Sequence, residues 1–202
     1  MTQTIGLGRG LAVVVSGLLL GLSPATSQAD PTSHSKDGIC PRTGDMPSGY
    51  RMERYRRPTP KCAPGAVTLS TLDTIDLIGS DLDPLLIDVG ALLLRTEQDF
   101  GSEWLPTGEH LSLPGAIWLP NVGKGQLQPP IDLWFGRQLQ RLTNGNFQRA
   151  LVFFCVADCW MSWNASIRAQ TLGYTHVYWY RDGTSGWTEA GRTLVPVKPE
   201  AI

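Results

Sequence analysis

Residues 151–168 read LVFFCVADCWMSWNASIR, and the fold of the chain turns on this stretch. Leu151, Val152, Phe153 and Phe154 form an unbroken apolar run that ends in Cys155. Such a run suits a strand buried on both faces, as in a parallel sheet, better than a half-exposed strand with its alternating pattern. Val156, Ala157 and Asp158 lead to Cys159, followed by Trp160 and Met161. Ser162 is then a suitable start for a helix with Ala165, Ala169 and Leu172 on one face, ended by Gly173. A buried strand thus delivers a thiol into a turn at the positive mouth of a helix. That arrangement suits cysteine chemistry, because the thiolate is the reactive form.

Working outward, the same punctuation recurs. Ala66–Leu69 is a short strand, and Ser70 with Asp73 makes a capping-box start for a helix carrying Leu72, Ile75 and Ile78. Pro84 introduces the apolar run Leu85–Val89, and Ala116–Leu119 is a strand closed by Pro120. Residues 90–113 are expected to be mostly loop. Pro129 and Pro130 suit a first helical turn, with Leu133, Trp134, Leu139 and Leu142 at helical spacing before Asn144-Gly145. His176–Tyr180 is the last strand, and Asp182-Gly183 leads into a short helix with Trp187 and Ala190. Strands alternating with helices over residues 66–191 predict an α/β fold with a central, mainly parallel sheet and helices on both faces. In such folds ligands sit beyond the carboxyl ends of the strands, where Cys155 lies and Asp88 and Pro120 lie close by.

The termini and the composition set the context. The 202 residues carry a formal net charge of -1, which leaves no nucleic-acid footprint. Arg9, the apolar run Leu11–Leu22 and the small residues around Ser27-Gln28-Ala29 predict a cleaved signal peptide over residues 1–29. The run is too short to span a bilayer, so no membrane association is expected after cleavage. Removing Arg9 leaves 16 basic and 18 acidic residues. Export predicts a periplasmic, oxidising location, where Cys40, Cys62, Cys155 and Cys159 can form disulfides in any of three pairings. Proximity favours Cys40 with Cys62 and Cys155 with Cys159; the first pair would staple an irregular N-terminal extension over residues 30–65 and stabilise it by about 3 kcal/mol. The run Arg51, Arg54, Arg56 and Arg57 in this extension reads as a solvated face, with Tyr50 and Tyr55 packing on the main domain, residues 66–202.

Four motifs, in order, resemble the rhodanese family: LIDV at 86–89, LPGAIWLP at 113–120, VFFC at 152–155 and GYTHVYWYRDGTSGWTEAG at 173–191. CWMSWN at 159–164, GYRMERYRRPTP at 49–60 and WYRDGTSGW at 179–187 are similar, more narrowly, to the exported CXXCW-motif proteins associated with pyrroloquinoline-quinone-dependent catabolism. The resemblance implies a rhodanese-like domain. It also implies a sulfur carrier or sulfurtransferase forming a persulfide on Cys155, within a loop of Val156, Ala157, Asp158, Trp160, Met161 and Ser162, with Cys159 as resolving partner. The implied partners are a small sulfur donor or a protein thiol, with no cofactor.

Three departures shift that expectation. The loop to Ser162 is longer than in sulfur-transferring members. Met161 stands where a phosphatase-type C-x5-R loop would need arginine, which removes the bidentate phosphate clamp. Asp158 replaces the basic loop residues that would favour an anionic donor, and Gly90 stands where the family often has Arg. The alternative is a non-catalytic, thiol–disulfide or metal-handling accessory protein of an exported quinone-dependent dehydrogenase system. It would use Cys155 and Cys159, joined by Met161 and a histidine such as His110 if a soft metal is held. Trp160, Trp163, Trp179 and Trp187 are expected in packing roles, His110 and His176 on loops or the surface, and Asp88 as an anchor for loop amides. Asn164 begins a glycosylation pattern but falls inside the expected helix.

Overall fold

A computed structural model describes residues 38–40, 48–97 and 101–202. The expected signal peptide and its cleavage position lie outside the described residues. Among those described, no helix is long and apolar enough to cross a membrane.

In chain order the elements are β1 (Val67–Leu69), α1 (Thr71–Ile78), β2 (Leu85–Asp88), β3 (Leu93–Glu97), β4 (Gly101–Leu105), β5 (His110–Ser112) and β6 (Ile117–Trp118). There follow α2 (Pro129–Leu142), β7 (Leu151–Phe154), α3 (Trp160–Thr171), β8 (Val177–Tyr180), α4 (Gly183–Glu189) and β9 (Val195–Val197). Five strands form one sheet in the order β1-β8-β7-β2-β6. Every pairing in it is parallel.

The apolar run at 151–154 is the middle strand, and all four residues of β7 are buried. Alternation along it sends Leu151, Phe153 and Cys155 into a cluster with Phe135 and Leu139 of α2 and Trp163, Ala165 and Ala169 of α3. Val152 and Phe154 face the other way, onto Leu77 of α1, Trp187 of α4 and Tyr180. Helices therefore cover both faces, which is why β7 needs no polar positions. Each fully buried Phe or Val contributes about 2 kcal/mol by removing its apolar area from water.

Local chemistry explains the helix starts. Ser70 and Asp73 form a reciprocal capping box, with Asp73 N–H donating to Ser70 Oγ (3.2 Å) and Ser70 N–H to Asp73 Oδ2 (2.9 Å). α2 opens on Pro129 and Pro130, as expected. α3 differs: it begins at Trp160, with Cys159 as N-cap. Ser162 lies inside the helix because its hydroxyl donates to the Cys159 carbonyl (3.0 Å) and accepts from Trp179 Nε1 (3.0 Å). The first orphan amide, that of Trp160, is met instead by the carbonyl of Tyr55 (2.9 Å) in the extension.

Residues 90–113 are not mostly loop. β3 and β4 pair antiparallel, and β5 pairs antiparallel with β9. Their stability is cross-strand: Leu94 faces Trp104, Thr96 faces Ser102, and Arg95 pairs with Glu103. Most of β3 is exposed, so these strands lack the apolar run by which a buried strand is recognised.

Residues 48–65 have no helix or strand of their own, yet they are strapped to α3. Asn164, fully buried and so closed to glycosylation, receives Arg51 N–H (2.8 Å) and donates to the Arg51 and Gly123 carbonyls (both 2.8 Å). Trp163 Nε1 donates to the Cys62 carbonyl (3.1 Å), and Cys62 is joined to Cys40 by a disulfide (S–S 2.06 Å). Tyr50 lies under the Arg168 guanidinium (4.1 Å), and Tyr55 Oη accepts from Gly125 N–H (2.9 Å). Both tyrosines pack as expected.

Candidate functional site

Cys155 directly follows β7, and its backbone is fixed from the far side by α4. Its carbonyl accepts Thr184 N–H (2.9 Å), and Gly183 lies so close, at φ 53°, that a Cβ there would sit 2.2 Å from that carbonyl oxygen. Val156 bridges to Gly183, and Ala157 N–H donates to Ser185 Oγ (3.2 Å). Asp158 turns the loop at φ 54° and points outward, where its Oδ1 accepts Thr59 N–H (3.3 Å). This residue type tolerates left-handed backbone, which is the physical reason for an acid at that position. The chain then reaches Cys159, bridged to Arg56 of the extension, and enters α3.

Cys155 and Cys159 are not joined in the disulfide that proximity favours: both thiols are free, buried and in contact with each other. Their environments differ in ways that set which ionises. Cys159 is pulled down to about 7 from an ordinary 9.0, first by the hydrogen bond from Cys155, then by the amides of Met161 and Ser162 and by the Arg56 guanidinium, with burial opposing. Its side chain makes no complete cap bond. The sulfur lies instead in the diffuse positive end of a twelve-residue helix. Cys155 is pushed well above the ordinary thiol value by donating to Cys159, by burial and by the field of Asp88. Cys159 is thus the thiol that ionises first, with Cys155 as its S–H donor.

The carboxylate that acts on the sulfur pair is thus Asp88, not Asp158. Asp88 ends β2 and is 1% exposed. It accepts Gly90 N–H on Oδ1 (2.8 Å), and Ser112 Oγ (2.7 Å) and His110 Nε2 (2.8 Å) on Oδ2. The expected role as an anchor for loop amides is correct. His110, expected on a loop or the surface, is instead the first residue of β5, half-buried against Asp88 and stacked on Trp118 at 3.8 Å.

The thiols open on a cleft of about 470 Å³. Tyr55, Ala91 and Met161 line it beside Cys155 and Cys159, together with Arg54, Arg56 and Arg57. A smaller cavity of about 300 Å³ lies on the Asp88 side of Cys155, bordered by His110, Val156 and Thr184. Of the expected loop residues, Met161 therefore faces the cleft and Val156 the smaller cavity. Trp160 is buried under the Arg51 guanidinium (5.2 Å) and donates from Nε1 to the Pro58 carbonyl (3.1 Å). Trp163, Trp179 and Trp187 are likewise buried. Among the described residues no three His, Cys, Asp or Glu side chains are grouped to hold a metal ion.

The sequence reading missed the arginines. Arg56 and its neighbours lie about a hundred residues before the cysteines, and their signal was only that the run lies beside Tyr50 and Tyr55, the residues expected to fold back. Arg54, Arg56 and Arg57 are exposed, as expected of a solvated face, and Arg56 in addition lends Cys159 the positive charge that the cysteine loop itself lacks.

No protein-family model matches this sequence, and no curated protein matches it. Among solved structures it is similar to a thiosulfate sulfurtransferase from Pseudomonas aeruginosa, at 18% identity and a TM-score of 0.43, over 67% of this chain and 21% of that one. The chain spans about a fifth of the length of that structure. It is also similar to an uncharacterized protein from Saccharomyces cerevisiae, at 21% identity and a TM-score of 0.39, over 61% of this chain and 92% of that one. A polysulfide-sulfur transferase homodimer from Wolinella succinogenes is similar at 14% identity and a TM-score of 0.39, over 65% of this chain and 79% of that one.

Proposed function

We propose that this protein is a two-thiol, rhodanese-like sulfur carrier of an oxidising, exported compartment, with Cys159 and Cys155 as its working pair. The observation that carries the proposal is the geometry of the pair: two free, buried thiols in contact at the mouth of α3, opening on a cleft. Cys159 attacks the outer sulfur of a sulfane donor. A new S–S bond forms, the donor's S–S bond breaks, and its remaining fragment leaves with the electron pair. An acceptor thiolate then attacks the outer sulfur of the Cys159 persulfide, taking that sulfur and returning Cys159 as a thiolate. The family resemblance places the persulfide on Cys155 and resolution on Cys159; the ionisation order favours the reverse. In the absence of an acceptor, deprotonated Cys155 displaces hydrosulfide from the Cys159 persulfide and closes a disulfide, which external dithiol must reduce.

The test is intact mass after incubation of the reduced protein with thiosulfate, polysulfide or glutathione persulfide. An adduct of about 32 Da is expected to persist on Cys155→Ser, whereas wild type resolves it to the disulfide, about 2 Da lighter than the reduced protein, and Cys159→Ser shows neither change. No adduct on any of the three with all donors refutes sulfur carriage.

The same contact between two free thiols supports a second reading, thiol–disulfide exchange as an accessory to quinone-dependent alcohol oxidation. Expression of Cys155→Ser in the native host separates the two readings. That variant would accumulate a mixed disulfide with a partner protein if exchange is the function, and a persulfide if carriage is.

A further inference from the structure

We propose that the arginine-lined cleft docks an extended acidic peptide segment of a partner protein, presenting that partner's thiol to Cys159; this rests on the sulfur-carrier reading and names its acceptor class. The first observation is how differently the arginines are used. Among the described residues Arg95, Arg141 and Arg149 sit in ion pairs, and Arg168 donates to the carbonyls of Val122, Lys124 and Gly125. Arg181 donates to Thr59, and Arg51 and Arg192 lie over tryptophan rings. Arg54 and Arg57 have no such partner among the described residues, as is true of Arg137 on α2, which does not line the cleft, and Arg56 exerts only its field on Cys159. Arg54, Arg56 and Arg57 are exposed, and all three border the cleft that holds the thiols.

The second observation is that their backbone is held. Arg56 bridges to Cys159, the Tyr55 carbonyl takes Trp160 N–H (2.9 Å), and the Tyr55 hydroxyl donates to the Met52 carbonyl (2.7 Å). The chain passes Arg54 at φ 52°, a conformation that costs free energy in a residue with a side chain. Three unpaired guanidiniums on a fixed strap are preorganised to receive carboxylates, which they bind bidentately.

The third is size. A cleft of about 470 Å³ with Tyr55, Ala91 and Met161 on its walls is far larger than an inorganic sulfur anion fills. It suits a ligand with apolar bulk around its reacting group, such as the residues flanking a cysteine. The formal net charge of the chain is only -1, so this cationic patch is local and selects by position rather than by total charge. In the docked complex the partner thiolate takes the outer sulfur from the Cys159 persulfide, and Cys159 leaves as the thiolate that Arg56 and the α3 amides stabilise.

Binding can be read without any chemistry, and so independently of whether sulfur is carried. Fluorescence anisotropy of the full-length reduced protein would use a labelled six-residue peptide with a central Ser flanked by Asp and Glu, and the same peptide with Asn and Gln flanks. The acidic peptide is expected to bind about tenfold tighter at low salt, the advantage fading as the screening length shrinks towards ~3 Å near 1 M. R54Q/R57Q should abolish the difference while the thermal melt stays that of wild type. Equal binding of the two peptides, an undiminished preference in R54Q/R57Q, or full displacement of the peptide by millimolar thiosulfate would each overturn the docking proposal. Loss of the persulfide adduct with the peptide preference intact would overturn only the carrier reading.

Discussion

Replacing Cys155 with Ala should make Cys159 a weaker acid. The hydrogen bond donated by Cys155 is the largest of the effects that bring Cys159 to about 7, ahead of the Met161 and Ser162 amides and of Arg56. The difference between 9.0 and about 7 corresponds to about 3 kcal/mol of preference for the ionised form. Losing the leading contribution while burial persists should return about half of it, about 1.5 kcal/mol, a roughly tenfold smaller ionisation constant and a roughly fivefold loss of thiolate at pH 7. The assay is the pH dependence of iodoacetamide alkylation followed by intact mass, with Cys40 and Cys62 protected by their disulfide. Wild type should show an inflection near 7 and modification at Cys159, located by peptide mapping. Cys155→Ala should move the inflection upward, and Cys159→Ser should leave Cys155 unreactive at pH 7. An unchanged or lower inflection in Cys155→Ala, or first modification of wild type at Cys155, would refute the assignment of the thiolate and with it the order of attack.

Because the folded state lowers Cys159 below its unfolded value, its ionisation stabilises the fold above pH 9.0 and that contribution disappears as pH falls through about 7. The denaturation midpoint of reduced wild type relative to Cys159→Ser should therefore rise from pH 6 to pH 9; a flat or falling difference contradicts the linkage. Gly183→Ala would drive a Cβ against the Cys155 carbonyl and force a left-handed alanine, costing about 1–3 kcal/mol in a thermal or urea melt and shifting the Cys159 inflection, whereas a wild-type melt would show that α4 does not fix the loop. Asp88→Asn removes the negative charge that raises Cys155, so Cys155 should alkylate at lower pH, while the lost charge-assisted bonds from Gly90, Ser112 and His110 cost about 1–3 kcal/mol; unchanged Cys155 reactivity would remove Asp88 from the site.

The core was legible because burial on two faces leaves a mark in the sequence. LVFF at 151–154 and LLID at 85–88 have no polar interruption before their ends, and the structure makes them neighbours in the sheet. The helix starts at Ser70 and Pro129 were legible because capping is local chemistry. β3, β4 and β9 were not, because each is held by a partner strand rather than by the core, and Pro196 breaks the apolar signal of the last. The start of α3 was misplaced by two residues for a related reason. The group that meets its first amide is a carbonyl of Tyr55, more than a hundred residues earlier, so nothing near Cys159 announces the cap.

The same non-locality governs the site. Taken alone, the loop from Cys155 to Cys159 holds one charged side chain, an acid, and its local chemistry disfavours a thiolate. Asp158 turns outward to Thr59, and the residues that set the charge come from elsewhere: Asp88 from β2 opposing ionisation of Cys155, and Arg56 from the strap favouring it at Cys159. The two fields act in opposite senses on two sulfurs in contact, so they separate the thiols into donor and thiolate instead of shifting both together. A single cysteine here would gain only the helix end and Arg56; the second supplies the largest part of the stabilisation and is at the same time the group able to displace the sulfur bound by the first. Activation and resolution are thus one interaction, and a variant that removes Cys155 must lose both together.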